Sequence, residues 1–252
     1  SGCAPVFRWS DPTRSDVAAL AVSDDAPGSS PRLYAATSDI LAALEERRFV
    51  WANRRDERSS FSTHDIVAAD GGGLYVAGIA DKAKDEREVV GDSDPFVVRT
   101  NADGESEWEA SIPIPGRHDD VVAALGTSPS GASIVYVAGF TQSKANPDVE
   151  KGFVAAYRAD GRQRWSRTVD GPVVELSADD RGVHVGLRDA VLHLDHAGAT
   201  DWRVLLDEDR IAAIAAASDG HLHVVSRVES TSTFVFSTYG PEGARTSRRH
   251  LQ

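Results

Sequence analysis

The chain has 252 residues, 41% of them apolar, 26% charged, and a formal net charge of −12. That length and composition suit one large folded domain, and the even spread of aliphatic and aromatic residues excludes a disordered chain. The 39 acidic against 27 basic residues argue against a nucleic-acid partner, and the longest plain apolar stretch, Ile211 to Ala217, is far too short for a transmembrane helix.

Residues 1–4 read as a tail carrying Cys3, the only cysteine, so neither an intramolecular disulfide nor a cysteine-based zinc site can form. Residues 5–10, with Trp9, read as one isolated strand. Five similar units follow. Their first strands are Asp16-Val-Ala-Ala-Leu20, Asp65-Ile-Val-Ala-Ala69, Asp120-Val-Val-Ala-Ala124, Pro172-Val-Val-Glu-Leu176 and Arg210-Ile-Ala-Ala-Ile214. These starts lie 49, 55, 52 and 38 residues apart. Small apolar residues without alternation predict an innermost strand covered on both faces.

A turn rich in Asp or Gly comes next, then a second strand: Leu33-Tyr-Ala-Ala36, Leu74-Tyr-Val-Ala-Gly78, Val135-Tyr-Val-Ala-Gly139, Val183-His-Val-Gly186 and Leu222-His-Val-Val225. The third and fourth strands form a hairpin. Phe96 to Trp108 and Phe153 to Trp165 align without a gap, both with Asp-Gly at the turn and Trp four residues after the glycine. Ala190 to Trp202 is a third copy, and the last, Thr233 to Gly243, has Ser247 where Trp would fall. Asp-Gly between alternating runs is a hairpin signal, because glycine accepts the positive φ of a tight turn. Leu41 to Arg48 has helix-forming residues, but its repeat position makes it strand and turn.

Four strands per unit, repeated five times, predict an all-β chain: a five-bladed β-propeller of four-stranded antiparallel blades, one domain over 1–252. The blades are expected near 11–60, 61–115, 116–170, 171–207 and 208–252, with the strand at 5–10 closing the last. All five tryptophans (Trp9, Trp51, Trp108, Trp165 and Trp202) fall at the outer-strand position, as wedges between neighbouring blades would. Burying one indole of about 150–250 Å² contributes on the order of 4–6 kcal/mol as an upper bound.

On these residues the chain resembles the bacterial β-propeller repeat family known as SBBP. Tyr75-Val-Ala-Gly78, Asp94-Pro-Phe-Val97, Asp103-Gly104 and Trp108 carry the likeness in the second unit, and Tyr136-Val-Ala-Gly139, Gly152-Phe-Val154, Asp160-Gly161 and Trp165 in the third. The other units are degenerate, with His184 and His223 in the tyrosine position. Quinoprotein propellers are distantly similar. The SBBP resemblance implies a secreted or surface-attached bacterial protein and no single activity. Ser1-Gly2-Cys3 is similar to the tail of a bacterial lipoprotein signal, which would make Cys3 a lipid anchor outside the cytoplasm.

Two constellations bear on chemistry. Asp16, Asp65 and Asp120 occupy equivalent strand entries and could line one channel mouth as oxygen ligands for calcium. Pro172 and Arg210 complete that ring poorly, and the competing role is acceptance of hydrogen bonds from nearby amides. His64-Asp65 and His118-Asp119-Asp120 sit at matching blade entries, so His64, Asp65, His118 and Asp120 are the candidate set for a metal-assisted hydrolase or lactonase. Strand alternation, however, turns neighbouring residues to opposite faces. Tyr34, Tyr75, Tyr136, His184 and His223 form one equivalent packing layer, and the basic cluster Arg47, Arg48, Arg54, Arg55 and Arg58 is balanced by neighbouring acids. No phosphate loop, nucleophile elbow or zinc-protease pair is present. The sequence therefore favours a non-enzymatic extracytoplasmic module, without a cofactor, recognising protein or surface glycan through its loops. A small hydrolase and a lectin remain the alternatives, and the sequence does not specify an oligomeric state.

Overall fold

Alternating residues and glycine turns produce strands throughout, with no helix among the described residues. The computed structural model describes residues 17–23, 31–37, 40–45, 48–54, 61–69, 72–81, 93–112, 118–128, 134–143, 150–206 and 209–251. The first sheet is β1 (Ala19–Ser23), β2 (Arg32–Ala36), β3 (Ile40–Glu45) and β4 (Arg48–Arg54). The second is β5 (Phe61–Ala68), β6 (Leu74–Asp81), β7 (Ser93–Thr100) and β8 (Ser106–Ser111). β9 (His118–Thr127), β10 (Ile134–Ser143), β11 (Glu150–Arg158) and β12 (Gln163–Asp170) make the third. The fourth contains β13 (Val173–Ala178), β14 (Gly182–Leu187), β15 (Ala190–Asp195) and β16 (Thr200–Leu205). The fifth contains β17 (Asp209–Ala216), β18 (Leu222–Val228), β19 (Phe234–Tyr239) and β20 (Arg245–Leu251).

Every sheet is four strands in chain order, each antiparallel to the next; one parallel pairing, Ser93 with Asp119, links the second and third. Successive first strands touch: β1 meets β5, β5 meets β9, β9 meets β13, and β13 meets β17. Four apolar cores lie between consecutive sheets. Between the third and fourth, Tyr136, Val154 and Ala156 pack against Val173, Val185 and Leu192. Val135 and Val137 of the same strand enter the core shared with the second sheet. A middle sheet is thus buried on both faces, which explains its unbroken apolar runs.

The burial gradient differs from the sequence expectation in one respect. β14 is buried along its whole length, whereas β13 is buried only at Val173 and Leu176 and β17 only at Asp209. The second and third strands are the best covered, because each has a strand on both sides as well as sheets on both faces. β8, β12 and β16 form the wet outer edge. In the fifth sheet β20 takes the outer position; the expected contribution of residues 5–10, and the tail with Cys3, lie outside the described residues.

The tryptophans join the sheets in one repeated way. Trp51, Trp108, Trp165 and Trp202 donate through Nε1 to the carbonyls of Ala102, Ala159, His196 and Pro241, at 2.8, 2.7, 2.9 and 2.9 Å. Each acceptor lies in the last turn of the following sheet. The glycine of that turn, such as Gly161 (φ +82°) or Gly198 (φ +84°), meets the indole face directly. A Cβ there would stand 2.8 Å from the ring of Trp108 or Trp165. Glycine is required for two reasons, the left-handed backbone and the indole's close approach.

Candidate functional site

The strand-entry residues are placed as follows. His64 is the extra residue of a bulge in β5, since pairing steps from Thr63–Gly78 to Asp65–Ala77. A bulge interrupts alternation, so the period-two separation of His64 from Asp65 does not apply here. His64 Nε2 is buried without a hydrogen-bond partner, and burial pushes this imidazole below its ordinary pKa. Asp65 has both oxygens committed: Oδ1 accepts from the Ile66 amide at 2.9 Å and Oδ2 from the Leu125 amide of the next sheet at 2.8 Å. Burial raises its pKa, and the two amides partly offset this. Glu175 is also raised, by burial first and by the charge of Asp65 second. The backbone of His118 and Asp120 lies in β9, but their side chains, like all of Asp16, fall outside the described residues.

A different cluster stands out when equivalent rows are compared across the sheets. The strand pairing aligns Tyr34, Ala43 and Trp51 in the first sheet; Tyr75, Arg99 and Trp108 in the second; and Tyr136, Ala156 and Trp165 in the third. The fourth row is His184, His193 and Trp202, and the fifth is His223, Thr238 and Ser247. In the first three rows the tyrosine ring tilts against the tryptophan, with centroids 6.2, 6.0 and 6.0 Å apart. In the fourth, two imidazoles 4.7 Å apart replace the tyrosine and its cross-strand neighbour, and His193 stacks on Trp202 at 5.8 Å.

Asp179, in the turn between β13 and β14, completes this group. Its Oδ1 accepts from the amides of Arg181 and Gly182 at 2.8 and 2.9 Å, which fixes the carboxylate. Its Oδ2 lies 3.1 Å from His184 Nε2, and Oδ1 lies 3.6 Å from His193 Nε2. All three side chains are buried, His184 and His193 at 0% and Asp179 at 6% exposure. The second nitrogen of His193, Nδ1, meets Asp201 Oδ2 at 2.8 Å. Asp201 reaches it because a bulge in β16 lies between the His193–Trp202 and Leu194–Thr200 pairs. Burial pushes the Asp179 carboxyl up, but the hydrogen bonds from His184 and the Arg181 amide outweigh burial and hold it well below the carboxylate range. Burial also drives His184 below its ordinary value, against the pull of Asp179.

Sequence reasoning assigned His184 to a packing layer, which its register confirms, but it did not join His184 to Asp179 or His193. A signal was present. The hairpin alignment already made His193 equivalent to Arg99, and the second-strand alignment made His184 equivalent to Tyr75 and Tyr136. The place of Asp179 beside Ala69, Ser128 and Ala217, each donating its amide across the same turn, came only from the backbone hydrogen bonds.

No family model matches this chain, and no curated protein matches it either. Solved structures do resemble it. A protein of unknown function from Bacteroides caccae aligns with a TM-score of 0.59 and 11% identity over 98% of this chain and 85% of that one. The Neurospora crassa Pan2 WD40 domain aligns with a TM-score of 0.60 and 10% identity, over 95% of this chain and 67% of the other. A chain of Chaetomium thermophilum Polycomb Repressive Complex 2 gives 0.62 and 11%, over 97% and 63%. The chain is therefore similar to β-propeller, WD40-like folds, and it spans about two thirds of the length of the last two. At these identities the likeness concerns the fold.

Proposed function

We propose that the five sheets close radially into one propeller that serves as a non-catalytic interaction module, recognising a protein or surface glycan outside the cytoplasm. The observation that carries this is the repeated lock of each tryptophan onto the next sheet's last turn. It makes a rigid scaffold whose loops are left to vary. Two of the similar solved structures are complexes, BBS1N with ARL6DN and Polycomb Repressive Complex 2. Closure fits the same chemistry: the fifth sheet has Ser247 in its tryptophan position, and Trp9 is the one indole the four locks leave over. Residues 5–10 beside the last blade would supply it, and Cys3 would tether the disc to a bacterial envelope through a lipid.

The test measures binding and turnover on the same protein. Cross-linking on the native cell surface, run beside a glycan array, is expected to give saturable binding that survives His64→Ala and His118→Ala. Turnover of ester or lactone substrates that disappears in His118→Ala would replace the module with a hydrolase. Closure is checked by Trp9→Ala, expected to lower stability by about 3 kcal/mol, as removal of an interblade indole should.

A further inference from the structure

We propose that Asp179, His184 and His193 bind one Zn²⁺ ion in the fourth sheet, with Asp201 as the outer partner of His193. These three are the one group of metal-capable side chains among the described residues whose ligand atoms all lie within 4.8 Å of one another.

The hydrogen count shows what the cluster lacks. Asp201 Oδ2 lies 2.8 Å from His193 Nδ1, and a carboxylate oxygen accepts, so Nδ1 is the donor of this ring. His193 Nε2, buried and without a hydrogen-bond partner, then faces Asp179 Oδ1 across 3.6 Å. A proton on Nε2 would not resolve this, because 3.6 Å is beyond hydrogen-bond range. A metal ion resolves it with two bonds of about 2.0–2.2 Å, and ligands about a tetrahedral zinc stand roughly 3.3 Å apart. The 3.1 Å contact of His184 Nε2 is to Asp179 Oδ2 and the 3.6 Å contact of His193 Nε2 is to Oδ1, so a shared ion needs a small rotation of the carboxylate or a ring within the 4.8 Å span of the three ligand atoms. His193 is also built as zinc-binding histidines are, with its second nitrogen on a carboxylate that fixes tautomer and ring.

The ligand set narrows the ion. Two imidazoles and one carboxylate suit a first-row divalent cation, of which Zn²⁺ is the probe, whereas calcium and magnesium need oxygen ligands throughout and copper(I) needs sulfur. Arg181 opposes a cation, since its Nε lies 3.9 Å from Asp179 Oδ2. Its Nη2 is held instead by the Pro241 carbonyl at 2.6 Å, and Nη1 lies 3.8 Å from Glu242. Three protein ligands leave one coordination position for water. The burial of both histidines requires slow, opening-limited uptake.

The experiment uses the whole chain after chelator treatment, dialysed against Zn²⁺ with long incubation. The control is the triple variant Asp179→Ser, His184→Tyr, His193→Ala, which reproduces the third sheet's Ser128, Tyr136 and Ala156. One tightly held zinc per chain that the triple variant loses is the expected result. Asp201→Asn should weaken binding about 10-fold. Zinc held equally by the triple variant, through Cys3 or surface histidines, overturns the proposal, as does no uptake by the wild type. Ring-nitrogen NMR of the wild type guards against a triple variant that fails to fold. Zinc must shift Nε2 of His184 and His193, and unshifted rings overturn the proposal.

Discussion

The third and fourth sheets solve one packing problem in two ways. In the third, Tyr136 fills the row beside Ala156 and sends its hydroxyl to His196 Nδ1 of the next sheet at 2.9 Å. The His196 Nε2 contact to the Asp180 carbonyl, at 2.9 Å, fixes the tautomer that accepts it. In the fourth, two imidazoles occupy the space of one phenol and a methyl group, and a buried carboxylate must accompany them. The tyrosine row satisfies itself with one interblade hydrogen bond, whereas the histidine row needs Asp179, Asp201 and a cation to satisfy buried nitrogen. Equal shape does not mean equal chemistry. Trp165 and Trp202, which flank both rows, make the same lock.

That contrast can be broken most strongly at what the rows share. Trp165→Ala removes a half-buried indole and its hydrogen bond to His196, and should cost about 3 kcal/mol in urea unfolding. His193→Ala breaks the histidine row alone. Opening a cavity and losing the stack on Trp202 should cost about 2–3 kcal/mol. Gly198→Ala, which sets a methyl 2.8 Å from the Trp165 ring on a left-handed backbone, is expected to cost about 2 kcal/mol. Tyr136→Phe deletes one hydroxyl and should cost about 1 kcal/mol. Smallest at neutral pH is the triple variant that converts the fourth row into the third, expected within about 1 kcal/mol of wild type. The buried imidazoles and carboxylate leave together, the introduced serine hydroxyl can accept from the Arg181 or Gly182 amide, and half-exposed Asp201 turns to water.

The pH dependence of the same pair sharpens the comparison. His184 is depressed by burial, so the stability it contributes is present above its ordinary value near 6.5 and is lost as pH falls below it. Asp179 is also depressed, and its contribution is lost below the ordinary carboxylate value of 3.8. Metal-free wild type should therefore weaken from about pH 7.5 to pH 5, and the triple variant should weaken less. Equal slopes would show that the histidine row does not govern acid sensitivity. In the third sheet Tyr157, pushed up to about 12 by burial, stays neutral across this range and contributes no slope.

Much of the architecture was legible because the repeat is local chemistry copied along the chain. Asp103-Gly104 and Asp160-Gly161 announce hairpins, and the tryptophans at constant spacing mark outer strands; four strands per unit follow from the short alternating runs. The locks were partly legible as wedges, but their direction, from Trp108 to the Ala159 carbonyl of the following sheet, was not. The bulges at His64 and before Trp202 were also hidden, since an extra residue in a strand leaves no mark in a two-residue period.

By itself the sequence determined which residues are equivalent, because equivalence depends only on spacing from glycine, tyrosine and tryptophan. Tertiary structure alone decided which equivalent residues touch. Asp179 belongs to a turn, His184 to β14, His193 to β15 and Asp201 to the bulge of β16; strand pairing carries them together. Distance along a chain says little about distance across a sheet, where neighbours are set by hydrogen-bond register and side-chain reach by the local bulge.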